Sequence, residues 1–576
     1  MREHCLKSLK GLKVSKGSKD LREALLASMA LVSAVASAQT EVQGVAALGG
    51  GLGTATPWGA DVSLDIKNDK LQLKPYVGIK GITKDASEEL ETLDYTYRSG
   101  QSFTSHTDLQ SKGYTLTYGT ELKLSIDTHN SLSLSLDALH RNMESAGEMI
   151  EGFVPNPISS KSSVPLSSSL LMPVRDANEV KAEAAWQITT QRPGESFTLR
   201  YGYERVANER EMHQYFASGE KPLPDNSLHT KASTQTHSAT LEWLRPLVSG
   251  QSLTLGARYE DKRIKSDDRQ QWNGLTNMDE HFHHTTQTSG LYAGYLLKIG
   301  PLTANARLEY DYTEMWDKKL HDFVPQARLQ WNINPSNSLT AMYVRRIIRP
   351  YLEVLNPARV IGPYTVDYGN PNLEGTHVNL MSLVYQHKAE HATFTATAQH
   401  IRVEDGFNAI WMVNESDVSE LPHPMRVSTW GNQGVRRAWS VAPEVQWTPV
   451  AGTKVTAKAT LLWDKRIAYA INMAKEHWGI TTEARLDQQL AAGIRMALHA
   501  DYSEGNTIDL YSHAGRSMDM GAELSRTFCR DKLTATLAYT YREYARTILT
   551  QGAYVGTLFH RPDDRQAASI TLNYKL

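Results

Sequence analysis

The feature that most constrains this chain is an alternation of period two. In the run 131–136, Leu132, Leu134 and Leu136 are interleaved with Ser131, Ser133 and Ser135. A strand sends successive side chains to opposite faces, so this run has one apolar face and one polar face. Similar runs fill most of the 576 residues. A water-soluble sandwich of that length would divide into domains joined by visible linkers, and no such linker stands out. One closed antiparallel β-barrel in an outer membrane accounts for both the length and the repetition.

Composition agrees with a barrel and excludes other classes. Lys and Arg number 61 against 63 Asp and Glu, a net charge of −2. Nucleic-acid binding wants a concentrated basic face, so no nucleic-acid partner is expected. Only 40% of residues are hydrophobic and the mean hydropathy is −0.43. After the N-terminal region, no uncharged apolar stretch reaches the ~18 residues of a spanning helix. In a barrel only alternate residues meet lipid, so the average stays low. Twenty-six Tyr and 12 Trp suit interfacial girdles.

Residues 1–23 are rich in Lys and Arg, and an apolar run, 24–32, follows. Ala36, Ser37 and Ala38 form a small-residue cleavage site, so residues 1–38 are expected to be a signal peptide and 39–576 the barrel. Cys5 precedes the apolar run and is no lipoprotein cysteine. That leaves Cys529 alone, which excludes an internal disulfide and argues against a Cys-based zinc site. A buried or lipid-facing thiol is expected there.

Tight turns are expected at 127–130, 191–194, 249–250, 300–301, 334–337, 449–452 and 530–532, where Gly, Pro, Asn and Asp supply turn dihedrals. Between the paired strands lie longer polar stretches, roughly 82–112, 143–177, 207–232, 262–284, 350–375, 414–424, 504–514 and 546–565. Short turns at one end and long loops at the other are the signature of outer-membrane barrels. The count is about 22 strands, the first at 41–50 and the last at 566–576. Segments 391–413 and 425–448 are expected to be long strands projecting beyond the membrane. Ile570, Leu572, Tyr574 and Leu576 alternate to the last residue.

The centre of the chain is more specific. Phe323-Val324-Pro325-Gln326 leads to a turn at Asn334-Pro335, then a strand ending Arg345-Arg346-Ile347-Ile348-Arg349-Pro350. Leu355-Asn356-Pro357, Gly369-Asn370-Pro371-Asn372-Leu373 and Thr429-Trp430-Gly431-Asn432 follow. This order resembles the barrel region of TonB-dependent receptors and the related outer-membrane β-barrel protein family. The resemblance covers about 40–576 and implies receptor-type transport, with ligand bound at the extracellular loops. Those receptors also carry an N-terminal plug; here the leader runs almost directly into the first strand. The implied partners are membrane lipid and lipopolysaccharide, the TonB complex or a separately encoded plug, and an extracellular small ligand or glycan. The alternative is a plug-less passive channel or a structural, adhesive surface barrel.

Physically, each Asn-Pro makes the preceding residue extended, and Gly369 offers a position free for positive φ. Arg345, Arg346 and Arg349 would cost about 2–4 kcal/mol each on a mid-membrane lipid face. They either contact an anionic ligand or lipopolysaccharide, or join a lumenal salt-bridge network, the preferred reading. Tyr351, Tyr364, Tyr368 and Trp411 are candidate exposed ligand contacts.

Asp279-Glu280-His281-Phe282-His283-His284 is the one dense cluster of metal-ligand types. A weak metal site is weighed against a solvated outer loop, and the loop is preferred. No Gly-x-Ser-x-Gly or His-Glu-x-x-His occurs, and barrel hydrolases have about half this strand number, so no enzyme is expected. No catalytic, cofactor-binding or metal residue is assigned, and no cofactor.

Overall fold

The computed structural model describes residues 41–575 except 54, 96–100, 156–166, 218–225, 249, 273–274, 316–317, 363, 415–424, 433, 469–472, 508–511, 544–546, 552–553 and 563–564. The expected signal peptide therefore lies outside the described residues.

The described chain folds as a closed antiparallel barrel of 22 strands. Closure joins the two ends of the sequence. Glu41–Gly53 pairs with Ala55–Lys67 on one side and with the last strand, Arg565–Lys575, on the other, from Val45 opposite Lys575 to Gly53 opposite Ala567. A closed wall leaves no open edge, which is what lets a sheet cross lipid.

The alternation sorts as it should. Leu134, Leu136, Leu199, Leu241, Leu291 and Trp439 are exposed, while Thr288, Asp311 and Asp464 on the opposite parity are buried. The apolar parity faces outward to lipid and the polar parity faces the lumen. The leucine face of the 131–136 run is thus the outer one.

Short turns close one end. At 127–130 the Asp127 carboxylate accepts the backbone N–H of His129 at 2.7 Å and of Asn130 at 2.8 Å. Gly194 and Gly250 have φ of 79° and 78°, as the tight turns there require. Cys529 is exposed within a turn at φ 55°, neither buried nor on the lipid face.

At the other end, several expected loops are strand. Leu71–Tyr95 and Gln101–Ser125 pair up to Asp94 opposite Ser102. Gln251–Trp272 and Leu275–Ile299 pair up to Trp272 opposite Leu275, so the described residues of 262–284 are strand, with a register shift between Leu275 and Met278. The stretch 546–565 holds Thr547–Gln551 and Tyr554–Pro562, and the latter pairs with 87–95. Above the membrane both faces of a strand meet water, so backbone pairing continues where the apolar alternation stops.

The segments 391–413 and 425–448 are not continuous projecting strands. The wall strand Ala392–Glu404 ends at a positive φ on Asp405, and the chain departs as a separate strand, Phe407–Asn414. Met425–Asn432 returns, and Gly434 at φ 110° leads into the wall strand Val435–Trp447.

Candidate functional site: a capped lumen

Both central segments fold inward. From the described residues of 350–375 and 405–432 a four-stranded sheet forms, Val360–Ile361, Thr365–Asp367, Met425–Asn432 and Phe407–Asn414 in spatial order, preceded by a one-turn helix, Leu352–Leu355. Thr365–Asp367 runs parallel to Met425–Asn432. Leu352, Val354, Leu355 and Leu373 pack on the lumen-facing Ile264 and Phe282 of the wall, with Trp430 and Phe407 alongside. We call this unit the cap.

The two Asn-Pro motifs build it together. Asn356 ends the helix in extended geometry, φ −65° and ψ 113°. The Gly369 N–H donates to the Asn356 carbonyl at 2.7 Å, the Asn370 N–H to the Val354 carbonyl at 2.7 Å, and Asn370 Nδ2 to the Trp430 carbonyl at 2.9 Å. A Cβ on Gly369 would stand 2.5 Å from the Asn356 oxygen. Gly369 is therefore needed for close approach, and not for the positive φ that sequence suggested. Asn432 Oδ1 accepts the Glu374 N–H at 2.8 Å, and its Nδ2 donates to the Asp405 carbonyl at 2.6 Å.

Polar side chains of the wall hold the cap's edges. The Gln270 amide brackets Ile361, accepting its N–H at 3.0 Å and donating to its carbonyl at 2.6 Å, as a neighbouring strand would. Gln270 also donates to Asn226 at 2.8 Å, Asn226 to Gln214 at 3.2 Å, and Gln214 to Ser169 at 2.9 Å. Asn356 Nδ2 donates to Asp268 at 2.7 Å. Arg426 donates to Asp367 at 3.2 Å and lies 5.5 Å over the buried Phe103 ring.

The arginines divide. Arg349 donates to Asp311 at 3.0 Å, pinning the cap's stem to an acid that Arg258 also grips at 3.0 Å. That is the lumenal salt-bridge network expected from sequence. Arg345 stands 4.0 Å from Asp322, and Arg346 is exposed. Of the candidate aromatics, Tyr351 is exposed, Tyr364 is buried at 7% and Tyr368 is half-buried. Tyr364 is thus corrected from an exposed contact to a core residue of the cap; burial and the Glu151 carboxylate push its hydroxyl pKa up. Trp411 lies on Phe407–Asn414, and its side chain is outside the described residues. Beside Tyr351, a cavity of about 250 Å³ opens between cap and wall, lined by Glu204, Asn208, Thr234, Lys262 and Glu353.

The histidine cluster sits on a strand, which splits it. His281 and His283 are exposed outside, while His284 is buried toward the lumen, stacked on Phe282 at 6.3 Å. His281 bonds Asp267 at 2.7 Å and its pKa is raised by that bond; burial pushes His284 down to about 4. The alternation prevents these rings from converging on one ion.

A second inward contact lies further round the wall. Arg466 donates to the Ser512 carbonyl at 3.0 Å, and His477 Nε2 lies 2.8 Å from the Gly505 carbonyl, which brings residues 505–507 and 512–514 beside the fully buried Asp464.

Sequence reasoning missed Ile264, Phe282, Gln270 and Arg426 as cap contacts. The first three sit on the lumen-facing parity of their wall strands, but their wall partners are legible and their cap partners are not.

Solved structures share this architecture. The ferric enterobactin receptor PfeA of Pseudomonas aeruginosa superposes with a TM-score of 0.60 at 11% identity, covering 93% of this chain and 81% of that chain. The siderophore receptor PirA from Acinetobacter baumannii gives 0.58 at 9% identity, covering 93% and 80%. The ferripyoverdine receptor of P. aeruginosa gives 0.59 at 9% identity, covering 93% and 72%. At such identity the likeness is one of fold. No protein of curated function matches significantly in sequence. The sequence itself matches the outer membrane protein beta-barrel family over residues 188–574, more than half of its length, and with the closed wall in view the chain belongs to that family of outer-membrane barrels.

Proposed function

We propose that this barrel is a receptor-type uptake protein whose own cap guards the lumen. A ligand arriving from outside meets Tyr351 and the polar cavity beside Lys262 and Glu353, and passage requires the cap to move. The observation that carries this reading is the cap's attachment: a small apolar core on one wall, framed by side-chain hydrogen bonds that water can replace. Such a unit can leave while the wall stays closed. The neighbours' ferric siderophores make iron chelates the first cargo class to test, ahead of glycans and peptides. In this reading the leader ending at Ala38 directs export, the TonB complex supplies the energy, and the barrel carries out no catalysis.

The test is single-channel current in planar bilayers with refolded residues 39–576. Wild type is expected to be closed or weakly conducting, and Leu355→Asp to open a steady conductance. A large ohmic current from wild type would overturn the reading in favour of a passive channel.

A further inference from the structure

The outer surface of the wall carries an ordered set of side chains that uptake does not explain. Six wall strands are involved: Asn337–Ile348, Thr376–Lys388, Ala392–Glu404, Val435–Trp447, Thr453–Ala468 and Met473–Gln489. Cross-strand register sets Arg345, Asn379, Arg402, Arg437, Lys465 and Glu476 in one row. Two residues down each strand runs a second row, Tyr343, Met381, His400, Trp439, Trp463 and Trp478. A third row below it is Ala341, Leu383, Ala398, Val441, Leu461 and Ile480. All three share the outward parity of the exposed Trp439, Val441 and Trp478; Asp464 and Arg466, on the other parity, are buried.

The heights fit a membrane interface. The exposed Trp447 lies ten residues below Arg437 on the same strand. For a tilted strand that is about 25 Å along the membrane normal, the height of the apolar band. The cations therefore stand at headgroup level, the aromatic row at the interface, and the third row in hydrocarbon. There the small side chains of Ala304, Ala306, Ala327, Ala341 and Ala398 leave a groove of about 680 Å³, bounded by Tyr295 and Trp439.

The cationic row is only partly neutralised from within. Arg402, Arg437 and Lys465 are direct neighbours on three adjacent strands, and like charges placed opposite one another destabilise a sheet. Arg402 pairs with Glu404, Lys465 with Glu476 at 2.7 Å, and Arg345 stands 4.0 Å from Asp322. Arg437, the central member, has no carboxylate partner among the described residues. A phosphate beside Arg437 relieves the repulsion, and guanidinium forks hold phosphate in bidentate fashion.

We propose that this face binds a phosphorylated, multiply acylated lipid of the outer leaflet, with phosphate on Arg402, Arg437 and Lys465 and an acyl chain in the alanine groove. The anion contact that sequence suggested for Arg345, Arg346 and Arg349 thereby shifts round the wall. Arg349 is engaged by Asp311, Arg346 has the lumenal parity, and Arg345 shares the register of the outer row but stands 4.0 Å from Asp322. The proposal rests on membrane location and is independent of what crosses the lumen.

The test uses the full barrel in phosphatidylcholine nanodiscs, titrated with diphosphoryl lipid A and read by native mass spectrometry. Heat-modifiable gel mobility reports the fold of each variant. Wild type is expected to retain lipid A, the triple change Arg402→Gln, Arg437→Gln, Lys465→Gln to weaken retention tenfold or more, and Arg437→Lys to keep most of it. Ala341→Leu with Ala398→Leu, which fills the groove, is expected to weaken lipid A severalfold and serves alone should the triple variant not fold. Unchanged retention in the folded variants would overturn the proposal. So would displacement of lipid A by equimolar inorganic pyrophosphate, which marks a plain anion site, or equal retention of a neutral diacylglycerol, which marks the groove alone.

Discussion

The wall and the cap are both β-sheet, yet they are specified differently. In the wall almost every strand pairs with its neighbour in sequence, so short turns set the register locally. Its apolar side chains face outward into lipid, and stability is spread over hundreds of backbone hydrogen bonds. The cap joins segments some sixty residues apart, Thr365–Asp367 with Met425–Asn432, in the one parallel pairing among the described residues. Its apolar core is a handful of side chains. A structure held by few contacts can move as a unit while one held everywhere cannot.

The sharpest way to break that comparison is Leu355→Ala. Leu355 is fully buried in the cap core, and truncating such a residue costs about 2–5 kcal/mol. Hydrogen exchange is expected to accelerate across 352–373 and 425–432 while wall amides keep their protection. Matching acceleration in wall strands would show that cap and wall are one cooperative unit.

The converse change is Leu241→Arg, on the exposed outer face. A cation near the bilayer midplane costs about 2–4 kcal/mol. The urea midpoint for barrel unfolding in vesicles is expected to fall, with cap protection lost only when the wall unfolds.

Acid separates the two regions by titration. Burial holds His284 at about 4, well below the 6.5 of a free histidine. Between those values the unfolded chain binds a proton that the native site refuses, so stability is lost as pH falls from about 6.5 to 4. The full effect is of order 2–3 kcal/mol and falls on Phe282 and the cap core above it. His281, exposed and raised by Asp267, has the opposite sign. Cap exchange is expected to accelerate as pH drops, a slope that His284→Gln removes and His281→Gln leaves.

The same contrast explains what the sequence disclosed. Wall strands were legible because lipid on one side and water on the other write period two into residues such as those at 131–136. Their extensions above the membrane, as at 262–284, were not, because two wetted faces write no pattern. The cap was half legible. Leu355-Asn356-Pro357 and Gly369-Asn370-Pro371 stood out as motifs, but their mutual hydrogen bonds depend on a fold-back that local propensity does not encode. Tyr364 was misplaced for the same reason: a tyrosine in a polar stretch reads as exposed until the stretch is found inside a barrel.

The smallest expected effect tests whether the cap's polar frame fixes its position or merely satisfies buried groups. In Asn356→Ala, the Nδ2 donor to Asp268 is lost, as is the Oδ1 that accepts the Ala358 N–H at 3.1 Å. Ser266 Oγ still donates to the same Asp268 carboxylate at 2.7 Å, so the acid is not left bare. The backbone bond from Gly369 to the Asn356 carbonyl also survives, since it needs no side chain. The cost is therefore about 1–2 kcal/mol, below that of Leu355→Ala. If the frame only satisfies buried groups, the variant cap exchanges slightly faster in place. If it sets position, the loss frees the helix end from the wall, and brief openings appear in single-channel records that Leu355→Ala lengthens further.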